Sequence, residues 1–334
     1  MSDTITIAVD AMGGDNSPEK VIHGISIHSK TTNNIIYKIF GDKNLIEDLI
    51  KKYKIIHKFE IFHTNEKINN DDTPLSAAKK KNTSMWLAIN SVKEKNSDAV
   101  ISAGNTGALF VIAKLNLEMI KNIDKPALSA LWPNKNGMNI VLDLGANIEC
   151  NEKNFEDFSL MGSALHKALF PEEVSKVALL NIGSEEIKGN NTIKNAYKLL
   201  SDKKNTLYDF NGYVEGNEIM SGNNNVIVTD GFTGNIALKT AEGTANFITN
   251  ELKLALTSSF LGKLSSILNI KNLKKFKNKL DPRIYNGAIL LGLNSPVIKS
   301  HGGTDSIGFS HSLKVCEKII KGKLIDKIKN NIVL

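Results

Sequence analysis

Two stretches of the chain place paired glycines and small polar residues where an apolar run ends. Val100-Ile-Ser-Ala-Gly-Asn-Thr-Gly107 and Ile227-Val-Thr-Asp-Gly-Phe-Thr-Gly234 align as an apolar pair, Ser or Thr, then Gly-x-Thr-Gly. A strand that ends in such a loop and then opens a helix aims backbone N–H groups and a helix dipole at one point, which suits an anion. The expectation is that the two loops face one another across an anion site. Gly104, Asn105, Thr106 and Gly107 would form one wall, and Asp230, Gly231, Thr233, Gly234 and Asn235 the other. The plainer alternative is two ordinary βα turns that use Gly and Thr for steric and capping reasons.

Other apolar runs end in similar residues. Asp10, Asp15 and Asn16 follow the first run, Asp143 and Asn147 follow Met138–Leu142, and Asn181 and Glu185 follow Val177–Leu180. Lys188, Lys299 and His301 are the cationic candidates. Neutral donors with a few positive charges suit a small, highly charged ligand such as phosphate. No protein nucleophile is evident, so the ligand itself would attack. Each residue also has a simpler reading: Asp143 and Asp230 as helix caps, Lys188 as a solvated lysine, His301 as a capping or packed histidine.

Familiar cofactor signatures are missing. No Gly-x-Gly-x-x-Gly follows a strand, and the nearest approach to a P-loop, Gly183-x4-Lys188-Gly189, has its Lys and Gly reversed. No serine sits in a nucleophile elbow, and neither Cys150 nor Cys316 lies in a metal or disulfide pattern. The expectation is an enzyme with no cofactor and no metal. His23, His28, His57, His63 and His166 lie within elements and receive no role.

The elements that must position these residues alternate. Ile5–Val9, Ile35–Phe40, Phe59–His63, Asp98–Ile101 and Val177–Asn181 read as strands, and Pro126–Trp132 with Met138–Leu142 as a pair joined by a turn. Helical patterns cover Asn44–Tyr53, a long stretch from Thr73 to Asn96, Ala108–Met119 and Phe155–Phe170; Ser17 reads as a cap with Pro18 at the first helical position. Tyr208–Glu218 reads as a polar connection, and two short strands and a terminal helix close the chain. Strands that are apolar throughout argue a mainly parallel sheet covered on both faces. With no linker or compositional break, the expectation is one α/β domain over residues 1–334, a three-layer αβα sandwich.

The 334 residues carry 41% hydrophobic and 23% charged side chains, with a net charge of +7. No apolar run approaches the roughly 18–20 residues of a membrane span, and the chain begins directly in a strand, so a cytosolic protein is expected. Of the 42 basic residues all but Arg283 are lysine, so scattered lysines carry little information. A lone arginine in such a chain points to work that needs the planar fork. Lysines 253, 263, 271, 274, 275, 277 and 279 fall between Glu251 and Asp281 with no intervening acid. Phe260, Leu261, Leu264, Ile267 and Leu268 follow helical spacing among them, beside Lys274 and Lys275. This basic amphipathic insertion, residues 245–282, suits an anionic membrane surface, an acidic partner or a subunit interface. Nothing points to nucleic acid.

Ala8-Val-Asp-Ala-Met-Gly-Gly-Asp-Asn16, Ser102-Ala-Gly-Asn-Thr-Gly-Ala-Leu109, Leu142-Asp-Leu-Gly-Ala-Asn147, Asn181-Ile-Gly-Ser-Glu-Glu-Ile-Lys-Gly-Asn190, Val228-Thr-Asp-Gly-Phe-Thr-Gly-Asn235 and Leu280-Asp-Pro-Arg-Ile-Tyr-Asn-Gly287 together resemble the PlsX family of phosphate acyltransferases. The resemblance runs from residue 5 to about residue 315. It implies transfer of an acyl group from acyl carrier protein to inorganic phosphate, giving acyl phosphate for phospholipid synthesis. It also implies a homodimer, and a fold akin to phosphotransacetylases and isopropylmalate-type dehydrogenases. Peripheral membrane association through the hairpin is a further implication, with a downstream membrane glycerol-3-phosphate acyltransferase as partner. Two departures stand out: His301-Gly-Gly303-Thr-Asp305 where the family usually has His-Gly-Ser-Ala-Asp, and Lys125-Pro126 where Arg-Pro is common.

On this reading the two Gly-x-Thr-Gly loops hold phosphate, with Asp10, Asp15, Asn16, Asp143, Asn147, Asn181, Glu185 and Arg283 lining the site. Lys188 and Asn235 stabilise the oxyanion, and His301 or Lys299 assists the departing thiolate. Two other classes remain open. One is an isopropylmalate-type NAD-dependent dehydrogenase with Asp143 and Asp230 pairing on a metal. The other is a non-catalytic scaffold that tethers acyl carrier protein to a membrane through residues 252–280.

Overall fold

A computed structural model describes residues 4–69, 71–202 and 207–332, without the side chains at 277 and 279. Lys277 and Lys279 of the basic segment therefore lie outside the described side chains. The first half of the chain forms β1 (Ile5–Asp10), α1 (Glu19–Ser29), β2 (Ile35–Gly41), α2 (Lys43–Tyr53), β3 (Phe59–His63), α3 (Pro74–Lys79), α4 (Ser84–Lys93), β4 (Ala99–Ser102) and α5 (Thr106–Leu117). Then come β5 (Ala127–Pro133), β6 (Met138–Leu142), α6 (Glu152–Leu169), β7 (Lys176–Asn181), α7 (Asn191–Asp202), β8 (Asp209–Glu215), β9 (Val226–Val228) and the long α8 (Gly231–Thr257). The chain closes with α9 (Phe260–Leu268), α10 (Ile270–Lys279), β10 (Ala288–Leu291), β11 (Val297–Lys299), α11 (Ser306–Lys321) and α12 (Leu324–Ile332).

All strands join one sheet in the order β3-β2-β1-β4-β11-β10-β5-β6-β9-β7-β8. Seven of its ten pairings are parallel and three, all around β10 and β5, are antiparallel. Alternate residues of each strand feed opposite layers. In β1, Ile7 and Val9 pack with Ile22 of α1 and Phe309 of α11, while Ala8 packs with Ile89 of α4 and Leu109 of α5. In the other half Leu142 and Val228 face Phe158 of α6, whereas Val141 and Ile227 face Ala237, Leu238 and Ala241 of α8. Both faces are covered, as expected of strands that are apolar throughout.

The three antiparallel pairings reverse the sense of the sheet. β1, β4 and β11 finish on one edge, here the upper edge, and β6, β9 and β7 finish on the opposite, lower edge. The strands that carry the two Gly-x-Thr-Gly loops, β4 and β9, therefore run in opposite directions. The expectation that these loops face each other within one chain is corrected by this reversal.

Three smaller expectations also change. The single helix read from Thr73 to Asn96 is two, α3 and α4, because Lys80 leaves the helix to pair with Asp72 and Thr83 begins a second cap. The polar Tyr208–Glu218 stretch holds the edge strand β8, in which the exposed Asp209 and Asn211 alternate with Phe210 and Gly212 ahead of the buried Tyr213 and Val214. Ser17 does not cap α1; its hydroxyl donates to Gly13 O at 2.6 Å.

Gly234, expected to hold an anion, has a packing role: the carbonyl oxygen of Asp143 stands where a Cβ would be. Gly234→Ala is expected to cost about 2 kcal/mol or more. The exposed Gly243, with open space around its missing Cβ, provides the control: Gly243→Ala is expected to stabilise by about 0.5–1 kcal/mol. Thermal denaturation of the two variants decides, and equal melting temperatures would remove the packing role.

Candidate active site

Three loops converge on the upper edge. Asp10 ends β1 and is fully buried; its carboxylate accepts the Ser84 and Ser102 hydroxyls, each at 2.6 Å, and the Met12 N–H at 3.2 Å. Ser102 Oγ in turn accepts the Gly104 N–H at 3.0 Å. Gly13 lies so near that a Cβ there would stand 2.6 Å from Gly104 N, and Gly14, at φ +81°, has no room for one either. Gly302 O, in the loop after β11, accepts the Asp15 N–H at 3.0 Å and also the Lys20 ammonium. The loops after β1, β4 and β11 are thus stitched together, and the N-termini of α1, α4, α5 and α11 open at the same edge.

Two lysines stand in this junction. Lys20, in the first turn of α1, is 5% exposed, and Lys299, the last residue of β11, is 8% exposed. Lys299 Nζ donates to Ser300 O as Lys20 Nζ does to Gly302 O, and among the described residues neither has a carboxylate within ion-pair distance. Burial pushes the Lys299 ammonium down to about 8, helped by Lys20 and opposed by Asp10. Burial likewise lowers Lys20, which Asp15 partly restores, and raises Asp10 above the usual carboxylate range against its hydroxyl and N–H donors. His301 Nδ1 accepts the Gly303 N–H at 3.2 Å, so the neutral ring carries its proton on Nε2. Burial, then the charge of Lys299, lowers its pKa, with Glu242 of α8 opposing and Lys239 and Lys20 adding to the depression. Helix α8 starts on the lower edge and packs across Val141 and Ile227, and its Lys239 and Glu242, paired at 2.8 Å, lie within electrostatic reach of His301.

Of the residues named from sequence, the structure brings Asp10, Asp15, Asn16, Gly104, Asn105, Thr106, Gly107, Lys299 and His301 together on this edge. Asn105 caps α5 through Ala108 N at 3.0 Å, and Thr106 is exposed beside it. Gly107 makes room for Pro74. The remainder lies elsewhere.

On the lower edge Asp143 is buried, and its oxygens accept the N–H groups of Leu128, Ala146 and Asn147 at 2.7–3.1 Å and the Asn147 amide at 2.8 Å. It shapes its own loop and has no capacity left for a ligand, so its binding role is corrected. Asn147 is a latch between that carboxylate and Pro126 O, at 2.7 Å. Asp230 caps α8, accepting Thr233 N and Thr233 Oγ1 at 2.8 Å each. Gly231 lets the loop close on Asn147 O, at 2.7 Å from its own N–H. Asn181 ties its loop to Gly183 O and Lys188 O, each at 3.2 Å, and leaves Glu185 and Lys188 exposed. Asn235 is exposed, with its amide 3.5 Å from Leu144 O. Lys188 and Asn235 are thus on the edge opposite Gly104–Gly107 and His301.

Arg283 does not face a ligand either. Its guanidinium grips Asp281 through Nε at 2.9 and 3.0 Å and Nη2 at 2.6 Å, and Asp305 through Nη1 at 2.9 Å. The lone arginine does use its planar fork, but on two carboxylates of its own chain. Phe260, Leu261, Leu264, Ile267 and Leu268 are exposed along α9, and Lys274 and Lys275 are exposed on α10.

Sequence reasoning missed Lys20, Ser84, Ser102, Lys239 and Glu242. Ser102 stood inside a quoted motif, and its position at a strand end was the available signal. Lys20 carried none, being one more lysine in a lysine-rich chain.

A family model described as "Fatty acid synthesis protein" matches residues 5–327. The chain is 67% identical over 333 residues to a phosphate acyltransferase of Pelagibacter ubique, covering 99% of this chain and 100% of that protein. It is 42% identical over 332 residues to a phosphate acyltransferase of Maricaulis maris, covering 98% and 94%. Among solved structures it is similar to a phosphotransacetylase from Streptococcus pyogenes, with a TM-score of 0.62 at 14% identity over 97% of this chain and 94% of that one. The EutD phosphotransacetylase of Staphylococcus aureus gives 0.61 at 15% identity over 96% and 94%. At such identities these structures bear on the fold alone.

Proposed function

The chain belongs to the fatty acid synthesis protein (PlsX) family of phosphate acyltransferases, and from that premise we propose how it moves an acyl group from acyl carrier protein to inorganic phosphate. The observation that carries the assignment of the site is the pair of buried, un-ion-paired ammonium groups, Lys20 and Lys299, at the mouth of three glycine loops. Two buried positive charges with carbonyl oxygens as their nearest partners are costly unless an anion joins them. Inorganic phosphate fits, with the N-terminus of α5 at Thr106 and Gly107 supplying further N–H donors.

In the reaction a phosphate oxygen attacks the thioester carbonyl carbon, the C–O bond forms, and the C–S bond breaks as the carrier leaves. The thiolate takes a proton from the Lys299 ammonium, which recovers one from the hydrogen phosphate that has attacked, and the neutral His301 ring offers its Nε2–H as a hydrogen bond to the departing sulfur. The charge that develops on the carbonyl oxygen is met by the same cations and N–H groups, held in place before the reaction. Asp10 does not touch the reacting atoms; it ties the loop after β1 to the end of β4 and the start of α4 through Met12, Ser102 and Ser84.

The dehydrogenase alternative is not favoured, because the Asp143 and Asp230 carboxylates are both taken up by backbone N–H groups of their own loops. The scaffold alternative is not favoured either, since the relatives are named as acyltransferases. We further propose a homodimer that lies against an anionic membrane surface from the cytoplasmic side, close to the glycerol-3-phosphate acyltransferase that would consume acyl phosphate. The exposed Phe247, Leu254, Phe260, Leu261 and Leu268, with lysines between them, support that reading. No helix among the described residues is long and apolar enough to cross a membrane.

Lys20→Ala and Lys299→Ala are each expected to lower kcat/KM for phosphate by about a hundredfold to a thousandfold. The assay is formation of acyl phosphate and free thiol from acyl carrier protein thioester. Because Lys299 loses its charge as pH rises through about 8, KM for phosphate should climb above that pH in the wild type. A flat profile to pH 9.5 would remove Lys299 from the site.

Lys188 and Asn235 can reach this centre only from a second copy, since their own chain holds them on the opposite edge. If they serve a partner's centre, mixing two inactive variants, Lys188→Ala and Lys299→Ala, restores roughly a quarter of wild-type turnover through mixed dimers. No recovery from two inactive parents, or full activity of Lys188→Ala alone, excludes that arrangement.

A further inference from the structure

The segment Asp281–Gly287 joins the helical insertion to the sheet, and its contacts converge on the loop that carries His301. Strands β10 and β11 pair antiparallel with Ala288 opposite Lys299, so the next rungs would set Gly287 opposite Ser300 and Asn286 opposite His301. Gly287, at φ +114°, turns the backbone out of the ladder. The Asn286 side chain takes the place of the missing rung. Its Oδ1 accepts the His301 N–H at 2.9 Å, and its Nδ2 donates to Ser300 Oγ at 2.9 Å. Asn286 is buried, so these bonds are shielded from competing water.

Five residues later in the loop a second tie is made. Arg283 holds Asp281 with three bonds and reaches Asp305 with a fourth, and Asp305 caps α11 through Gly308 N at 3.0 Å. The loop from Ser300 to Asp305 is thus gripped at its start by Asn286 and at its end by Arg283, from a single seven-residue segment. Lysine in place of Arg283 would present one point of charge where two carboxylates need a fork.

We infer that Asp281–Gly287 is a strap that sets the position of the His301 loop for acyl transfer, with Asn286 and Arg283 as its positioning residues. The inference rests on the reading of His301 and Lys299 as groups of the catalytic centre. Neither strap residue touches substrate; each acts through the loop, where a displacement of about 1 Å is enough to cost roughly a hundredfold in rate.

The test uses full-length enzyme and two substitutions at one position. Asn286→Ala removes both bonds and is expected to lower kcat by about tenfold to a hundredfold, with a melting temperature within a few degrees of wild type. Asn286→Asp can still accept the His301 N–H and the Ser300 hydroxyl, so it should recover most of the rate while placing a carboxylate beside the loop. The charged groups that bear on the His301 ring are Lys299 on β11, Lys20 on α1, Lys239 and Glu242 on α8, with Asp15 near Gly303. A new carboxylate should move the His301 titration upward, read by imidazole NMR with His301→Gln to assign the signal. The strap is overturned if Asn286→Ala stays within about twofold of wild type, or if Asn286→Asp leaves the His301 titration unmoved. Should Asn286→Ala not fold, Arg283→Lys substitutes for it, with at least an approximately fivefold loss of kcat expected and near-wild-type kcat overturning the strap. The NMR readout needs no turnover. Absence of acyl phosphate from the wild type would therefore discard the proposed reaction, while the titration would still judge the strap.

Discussion

Two ammonium groups buried at one edge of the sheet, with carbonyl oxygens for partners, are the most demanding feature of this molecule. Burial disfavours the charged form of each, and the charge of Lys20 adds to the cost at Lys299. Such an arrangement persists only where the surrounding structure fixes it, and the upper edge does so with unusual density. Asp10 locks the loops after β1 and β4 through two serine hydroxyls, the glycines let the backbones meet, and Gly302 O serves both Lys20 and Asp15 N. An anion relieves the repulsion, so the energy withheld from folding is available to hold ligand. Glycine at 13 lets the chain meet Asp10 and Gly104, and glycine at 14 leaves room for the Lys20 ammonium beside Gly302 O.

The second constraint is the sense of the sheet. Polar residues at strand ends are candidate ligands only if the strands finish on one edge, and a run of parallel strands guarantees that. Here the antiparallel β5, β6 and β10 reverse the sense midway, and the strand-end residues are divided between two edges. The lower set is largely absorbed by its own loops, as the four N–H donors around Asp143 illustrate. The upper set leaves its cations without carboxylates. Self-satisfaction at one edge and its absence at the other are the contrast on which the proposed placement of the site rests.

These same contrasts explain what could be read without coordinates. The apolar strands, the helices over Asn44–Tyr53 and Phe155–Phe170 and the β5–β6 pair were legible because their periods and turn residues act locally. The Gly-x-Thr-Gly loops were legible as strand–helix turns for the same reason. Which loop faces which was not, because direction within the sheet depends on strand order, a non-local property. Arg283 was recognisable as exceptional by composition, yet its partners Asp281 and Asp305 are set by the return of the chain from the insertion. Lys20 was hidden for the opposite reason: nothing local separates one lysine from forty others, and only burial against Gly302 does so.

The position of the helical insertion follows from the same geometry. Helix α8 starts on the lower edge, packs across Val141 and Ile227, and carries Lys239 and Glu242 within electrostatic reach of His301. The chain then travels out through the exposed α9 and α10 and returns at Asp281, at the upper edge, where Asn286 and Arg283 meet the His301 loop. Both roots of the insertion therefore flank the mouth of the candidate active site. An apolar face with lysines at its rim, rooted at the mouth of a centre that handles fatty acyl groups, places any surface it engages next to the point where acyl phosphate would leave. On the proposed membrane reading, a product with an apolar tail would cross little water between this mouth and the surface, which accords with an insertion between α8 and β10.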